Sequence, residues 1–264
     1  MKKAIVSKKI TKKAAYAAHG LEFDGKYIVA PDGEKILPLL KVGNSKTGRK
    51  VLTFSISIES CPCRCKGCYA ATGCYLFPSV QALLKRHYLL CMYHLDFVDA
   101  AIRAQLDTCK PGKEIRIHAA GDFFNDAYAE MWRAIVRDYP HLIFWTYTKA
   151  IKYESMFDTF DNANIVKSII PGVGLNFGHC GYIADAYEKL TRAGESVHIC
   201  KCGIDKNHHC AGCHNCSNHK YVLFIEHSTS YKADLDADYS RIADIIAAQD
   251  KAEQTAEMIP AAAK

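Results

Sequence analysis

Five cysteines stand within sixteen residues in the stretch SCPCRCKGCYAATGCY, residues 60–75: Cys61, Cys63, Cys65, Cys68 and Cys74. Three of them, Cys61, Cys65 and Cys68, have the spacing C-x3-C-x2-C. Thiolates are soft, negatively charged ligands. Three on one tight loop can hold three irons of a [4Fe-4S] cluster and leave the fourth iron open to a further ligand. The same residues admit a second chemistry. Cys65 and Cys68 also have the spacing of a structural zinc site, which Cys61, Cys63 or Cys74 can complete to four ligands.

A second group follows late in the chain. The stretch CKCGIDKNHHCAGCHNC carries Cys200, Cys202, Cys210, Cys213 and Cys216. Cys210, Cys213 and Cys216 match the first three ligands of a bacterial ferredoxin run. No fourth cysteine follows them, so Cys200 or Cys202 is expected to close the site. The product is an auxiliary [4Fe-4S] cluster that passes electrons or binds substrate, or else a structural zinc site. His208, His209 and His214 make a mixed Cys/His zinc site a further option. A second metal centre is expected either way, because five exposed thiols without a metal are open to oxidation. Cys91, Cys109 and Cys180 stand alone and read as small buried apolar residues.

Thirteen cysteines matter according to compartment. The basic start MKKAIVSKKITKKAAYAAHG lacks the apolar stretch of a signal peptide, and no run of eighteen apolar residues suggests a membrane span. The expectation is therefore a cytoplasmic chain with no membrane partner, in which clustered thiols bind metal rather than pair. The composition, 49% apolar and 23% charged, fits a globular protein with a sizeable core. The net charge of +6 is unevenly placed, with twelve Lys/Arg against four Asp/Glu in residues 1–50. Such a basic N-terminal region can grip phosphate backbones, which makes nucleic acid a candidate partner; it also reads as a solvated tail. No recognition helix or RNA-binding signature accompanies it.

The elements that must position these groups alternate. Strands are expected over 50–59, 114–120, 141–148, 164–170, 196–200 and 221–227. Helices are expected over 79–94 with Ser79 as N-cap, 95–109, 126–140, 181–194 closed by Gly194, and 238–249, with a weak helix over 151–159. The first fourteen residues and the last fifteen read as frayed. Six strands separated mainly by helices predict a parallel sheet, with any ligand at the carboxyl ends of the strands. There the sequence places the first cysteine group, then GDFFND (121–126), Lys149-Ala150, the glycine loop PGVGLNFG (171–178), and the second cysteine group.

Other residues carry less weight. His118 reads as a core histidine more readily than a catalytic one. Tyr147 and Lys149 end the third strand and can face the site. Asn125 reads as a helix N-cap. No Walker loop, no Ser-His-Asp order and no paired catalytic carboxylates are present.

Cys61, Cys65 and Cys68 after a first strand, with Ala120, Gly121 and Asp122 after the second, resemble the radical SAM superfamily. The resemblance implies a partial (βα)6 barrel of mainly parallel strands. It also implies S-adenosylmethionine chelated to the open iron and cleaved by one electron to methionine and a 5′-deoxyadenosyl radical. The backbone at Ala120 and Gly121, with the Asp122 carboxylate, would hold the methionyl amine. That superfamily places an aromatic residue before the last cysteine of the motif. Here Gly67 stands there, and Tyr69 follows. A resemblance over more of the chain rests on GNSKTGRKVLTFSIS, CYA, RIHAAGDFFN, FWTYTK and the late cysteines. These are similar to the bacteriophage gene product eighty-eight family, which favours Cys200 as the fourth late ligand and implies a host-cell cytoplasmic setting.

The expected organisation is a basic N-terminal extension over 1–49, a (βα)6-like core over 50–249 with a Cys-rich insertion at 200–220, and a tail over 250–264. The expected function is a radical-SAM-like enzyme using an external one-electron donor on an unknown substrate. The alternative is a zinc- or iron–sulfur-braced nucleic-acid-binding protein without catalysis.

Overall fold

The computed structural model describes residues 10–43, 51–63, 68–170, 172–178, 180–201, 213, 215–225 and 235–257. The chain divides into two compact units, Met1–Ala163 and Asn164–Lys264.

The first unit is folded from its first described turn. Helix α1 (Lys12–Ala18) is capped by Thr11, whose hydroxyl accepts from Ala14 N at 3.2 Å. Its buried residues are Ala15 and Tyr16, and the Tyr16 ring stacks on Phe23 at 4.6 Å. The fraying expected through residue 14 therefore stops short, because a buried aromatic anchors a turn whose alanines favour helix. A short antiparallel pair follows, β1 (Ile28–Val29) with β2 (Lys35–Ile36), and then β3 (Lys41–Val42), antiparallel to β4 (Val51–Thr53).

Two helices cross over from β4: α2 (Pro78–Tyr93) and α3 (Leu95–Leu106). Helix α2 begins at Pro78 rather than after Ser79. Proline's fixed φ suits the first helical position, where its missing N–H costs nothing. The chain then enters β5 (Glu114–Arg116), α4 (Asp126–Asp138) and β6 (Ile143–Thr148). As expected, Asn125 caps α4, its side-chain oxygen accepting from Tyr128 N at 2.8 Å. Tyr128, Met131, Trp132, Ile135 and Val136 form the buried face of α4, the i, i+3, i+4 stripe that a helix lays on a sheet. Strands β4, β5 and β6 are parallel, with Thr53 opposite Arg116 and Arg116 opposite Trp145. Pairing continues past β4, since Ala119 N donates to Phe54 O and Ile56 N to Ala120 O, each at 3.0 Å. The expected helix over 151–159 is a single 3-10 turn, Ile151–Tyr153. Strand β7 (Ala163–Lys167) follows, and the boundary between the units falls after its first residue.

In the second unit the strand expected over 164–170 is broken at Ser168, whose carbonyl accepts from Asn176 N at 3.0 Å. Strand β8 (Ile169–Ile170) turns back on β9 (Gly174–Leu175), and β10 (Phe177–Gly178) leads into α5 (Cys180–Arg192). Strand β11 (Val197–Ile199), the short helix α6 (Asn215–Asn218), β12 (Tyr221–Ile225) and α7 (Leu235–Glu257) follow among the described residues. Both neighbours of β12, namely β10 and β11, are parallel to it. Ile183, Leu190, Ile199, Leu223 and Ile242 are among the residues that close this core. The architecture is thus mixed α/β, with parallel pairs in each unit.

Candidate functional site

The first cysteine group lies where β4 gives out. A 3-10 turn, Ile58–Ser60, ends at Cys61, whose N–H donates to Ile58 O at 3.0 Å. Cys68 opens the next such turn, Tyr69–Ala71, its carbonyl accepting from Ala71 N at 2.9 Å. Cys61, Cys63 and Cys68 are partly exposed, and Cys74 is exposed. Cys65 and Gly67 lie outside the described residues.

The turn after β5 meets this loop. Gly121 has φ +83°, and a Cβ there would stand 2.4 Å from Ile56 Cγ1 and 2.7 Å from Ser60 Oγ. Only glycine allows both the conformation and the close approach. Asp122 is 2% exposed. Its N–H donates to Ser60 Oγ at 2.9 Å, and Ser60 Oγ donates in turn to Ser57 O at 2.7 Å. The Asp122 carboxylate accepts three bonds: from Phe123 N at 2.8 Å, Thr148 Oγ1 at 2.7 Å and Lys149 N at 2.7 Å. Burial pushes this carboxyl above its ordinary value, and the three donors pull it back. Asp122 therefore ties the ends of β4, β5 and β6 together, and its oxygens are engaged by the fold.

The exit of the loop touches the same turn. The Tyr69 hydroxyl donates to Ala119 O, and its ring meets Tyr75 edge-on at 5.9 Å. Burial pushes the Tyr75 phenol up to about 12. Cys68 and Tyr75 pack against a small cluster of Ala70, Leu84 and Ala120. Beside it, the Arg116 guanidinium lies 5.2 Å from the Trp145 ring and 5.5 Å from the Tyr147 ring. Arg116 Nε donates to His118 O at 3.0 Å, and Nη2 to the Tyr69 hydroxyl at 3.3 Å. His118 turns toward α4, where its Nε2 is 2.7 Å from the Tyr128 hydroxyl. Burial holds His118 neutral, with its pKa lowered to about 3, so it belongs to the core.

In the second unit Cys200 is buried and its N–H donates to Leu223 O at 2.8 Å. Cys213 Sγ accepts from Asn215 Nδ2 at 3.2 Å, and Cys216 O accepts from Asn164 Nδ2 at 2.8 Å. The buried His198 lies between Asn215 and Gln249, at 2.9 and 2.5 Å, and stacks on His219 at 5.2 Å. Cys202, Cys210, His208, His209 and His214 lie outside the described residues. The glycine loop after β8 serves a structural end: a Cβ on Gly174 or Gly178 would strike the Tyr182 ring system at 2.9 or 2.5 Å. Of the solitary cysteines, Cys91 and Cys180 are buried and Cys109 is half-buried.

Among the described residues, no three His, Cys, Asp or Glu side chains converge to hold a metal ion. At the carboxyl ends of β4 and β5, Cys68 packs against Ala120, Tyr69 bonds Ala119 O, and Ser60, which precedes Cys61, bonds Asp122 N. Sequence reasoning missed Ser60, Thr148 and Arg116. Ser60 and Thr148 were legible only as small hydroxyl residues at the ends of expected strands, and Arg116 as a charge inside one. Among the described residues no helix is long and apolar enough to cross a membrane.

A family model described as Gene product 88 matches residues 37–219. The Gene 88 protein of Mycobacterium phage D29 is 28% identical over 136 residues, which cover 45% of this chain and 57% of that protein. The Gene 88 protein of Mycobacterium phage L5 is 44% identical over 43 residues, 16% of this chain and 18% of that protein. The matched segments thus span less than two thirds of either relative. No solved structure matches.

Proposed function

The chain belongs to the Gene product 88 family, and we propose that within it this protein is an iron–sulfur enzyme of the radical SAM type. The fold that goes with this reading is a partial (βα)6 barrel. Cys61, Cys65 and Cys68 are its cluster ligands. The donor set suits iron–sulfur chemistry: three soft thiols close in sequence, of which Cys61 and Cys68 are described and follow β4. The observation that carries the reading is the hydrogen bond from Asp122 N to Ser60 Oγ at 2.9 Å, which joins the cysteine loop to the Gly121-Asp122 turn. When bound, the cluster would supply one electron to cleave S-adenosylmethionine and so begin radical chemistry on a substrate not yet identified.

The chain's own residues have narrower tasks. The backbone of Ala120 and Gly121 is the platform for the methionyl end of S-adenosylmethionine. Asp122 acts chiefly by fixing that platform, because its oxygens already accept from Phe123, Thr148 and Lys149. Tyr69 offers the exposed aromatic surface beside Cys68, in the role that Gly67 leaves open. Cys200, Cys210, Cys213 and Cys216 hold the second metal centre, an auxiliary [4Fe-4S] cluster or zinc. An external one-electron donor is the required partner.

The test is anaerobic reconstitution with iron and sulfide, followed by dithionite and S-adenosylmethionine. The expected result is a brown protein that forms 5′-deoxyadenosine. The triple variants Cys61→Ala/Cys65→Ala/Cys68→Ala and Cys210→Ala/Cys213→Ala/Cys216→Ala should each lose one metal centre and keep the other. A second reading is favoured by the twelve basic residues among the first fifty: a metal-braced nucleic-acid-binding protein. Colourless zinc protein whose affinity for DNA or RNA falls steeply with salt would establish that reading instead.

A further inference from the structure

The cysteine loop is bracketed by two side chains that reach the same turn. Ser60 precedes Cys61, and its Oγ accepts from Asp122 N at 2.9 Å. Tyr69 follows Cys68, and its hydroxyl donates to Ala119 O. The two ends differ in setting. Tyr69 is exposed, whereas Ser60 is 4% exposed, locked between Ser57 O and Asp122 N. Its one proton goes to Ser57 O at 2.7 Å, so a lone pair faces the Asp122 amide. Gly121 fits against the same oxygen, since a Cβ there would come within 2.7 Å of it. The turn is a fixed counterpart, because the Asp122 carboxylate is bonded to Thr148 and Lys149 at the end of β6.

We propose that Ser60 is the positioning residue that registers the cysteine loop on the Gly121-Asp122 turn, and so sets where a ligand held by that turn lies relative to Cys61. The inference rests on the iron–sulfur reading and deepens it. Ser60 bears no bond to iron or substrate. It acts through Asp122 N, which alanine at position 60 would leave as a buried donor without an acceptor.

The test compares full-length wild type, Ser60→Ala and Ser60→Thr, each reconstituted anaerobically. Three quantities are read: iron and sulfide per chain, the change in the electron paramagnetic resonance signal of the reduced cluster on adding S-adenosylmethionine, and hydrogen exchange at the Asp122 amide. Ser60→Ala should keep the iron of wild type, exchange faster at Asp122, and need about tenfold more S-adenosylmethionine for half the spectral change. Ser60→Thr, which keeps the hydroxyl, should restore both. Faster exchange with an unchanged S-adenosylmethionine dependence would show a merely structural bond and overturn the proposal. Loss of iron from Ser60→Ala would show that the bond holds the cluster segment itself rather than the ligand's position, and would overturn the proposal. Wild type that takes up no iron overturns the iron–sulfur reading and this inference together, whereas failure of the inference alone leaves wild-type iron and cleavage intact.

Discussion

The Thr148 hydroxyl donates to Asp122 Oδ1 at 2.7 Å, and both side chains are buried, at 1% and 2% exposure. A buried carboxylate is costly unless its oxygens are bonded. Here the last residue of β6 supplies one donor, and the backbone N–H groups of Phe123 and Lys149 supply two more. The turn after β5 is thereby fixed to the end of β6 before any ligand arrives. This is how the carboxyl end of a parallel sheet becomes a rigid platform.

Thr148→Val keeps the shape and removes the donor. It should destabilise the first unit by about 1.5–3 kcal/mol at neutral pH, the scale of a hydrogen bond to a charged group. Thr148→Ser should recover most of the loss. The folded-state pKa of Asp122 lies above the ordinary carboxylate value because of burial. Stability from this group therefore falls as pH rises from the unfolded value through the folded one. Removing a donor raises the folded value further, so the deficit of Thr148→Val should shrink on acidification. Urea denaturation at several pH values, followed by tryptophan fluorescence, reads both effects, since Trp132 and Trp145 both lie in the first unit. A deficit that grows as the pH falls would contradict the assignment of charge to Asp122.

Gly121→Ala tests the close approach of the turn to the cysteine loop. At φ +83° an alanine is strained, and its Cβ would stand 2.4 Å from Ile56 Cγ1 and 2.9 Å from Ile56 O. The backbone contact cannot be relieved by a rotamer change. Strain and overpacking together should cost about 2–5 kcal/mol, measurable as a lowered denaturation midpoint. Gly112→Ala is the control, because its φ is also positive, +74°, and its Cβ would meet nothing within 4 Å. Equal losses at the two positions would assign the effect to backbone strain alone.

Much of this arrangement is legible in the sequence because its signals are local. The buried stripe of α4, its Asn125 cap and the apolar strand HLIFWTYT each follow from a periodicity or a short-range bond. The turn at Gly121-Asp122 is legible too, as a glycine and an acid after a strand. Other parts depend on partners distant in sequence. Ser60 matters because of Asp122, sixty-two positions away. Arg116 reads only as a charge inside an expected strand until Trp145 and Tyr147 appear beside it. In the second unit, Gly174 and Gly178 look like a ligand loop, and only the Tyr182 ring shows what their missing side chains make room for. The turn of α1 is hidden for another reason: its anchor Tyr16 stacks on Phe23, which lies beyond the end of the helix and outside its periodicity.

Two buried histidines predict how the first unit responds to acid. His87 stacks on Phe54 at 5.5 Å, with Nδ1 3.0 Å from Ser55 O, and burial lowers its pKa to about 4. Burial likewise lowers His118 to about 3, and Arg116 adds to the shift. Both stay neutral in the folded protein while the unfolded chain takes up protons near pH 6.5. Their contribution is therefore complete above that pH and is lost as the pH falls toward 4 and 3. The slope should reach at most about 1.4 kcal/mol per pH unit for each histidine. His87→Phe and His118→Phe should each flatten the fall in the urea midpoint between pH 6 and pH 4.5. Variants with the wild-type slope would place the acid sensitivity on carboxylates instead.

In the second unit one amide holds the late cysteine segment. Asn164 Nδ2 donates to both Cys216 O and His219 O, each at 2.8 Å, so it closes the carbonyl end of the four-residue helix α6. Helix ends leave carbonyls without intrahelical donors, and a helix this short has no stability of its own. Asn164→Ala should cost about 1–3 kcal/mol. Asn164→Asp should cost more, because a carboxylate oxygen would face two carbonyl oxygens where donors now stand. The measurement is hydrogen exchange by mass spectrometry over residues 215–221, since fluorescence from the first unit does not report on this helix. If Cys216 is a ligand of the second metal centre, metal bound there braces the same segment independently. The Asn164→Ala effect on exchange should then be smaller in metal-loaded protein than after chelation. An equal effect in both states would mean that the metal does not engage the helix that Asn164 closes.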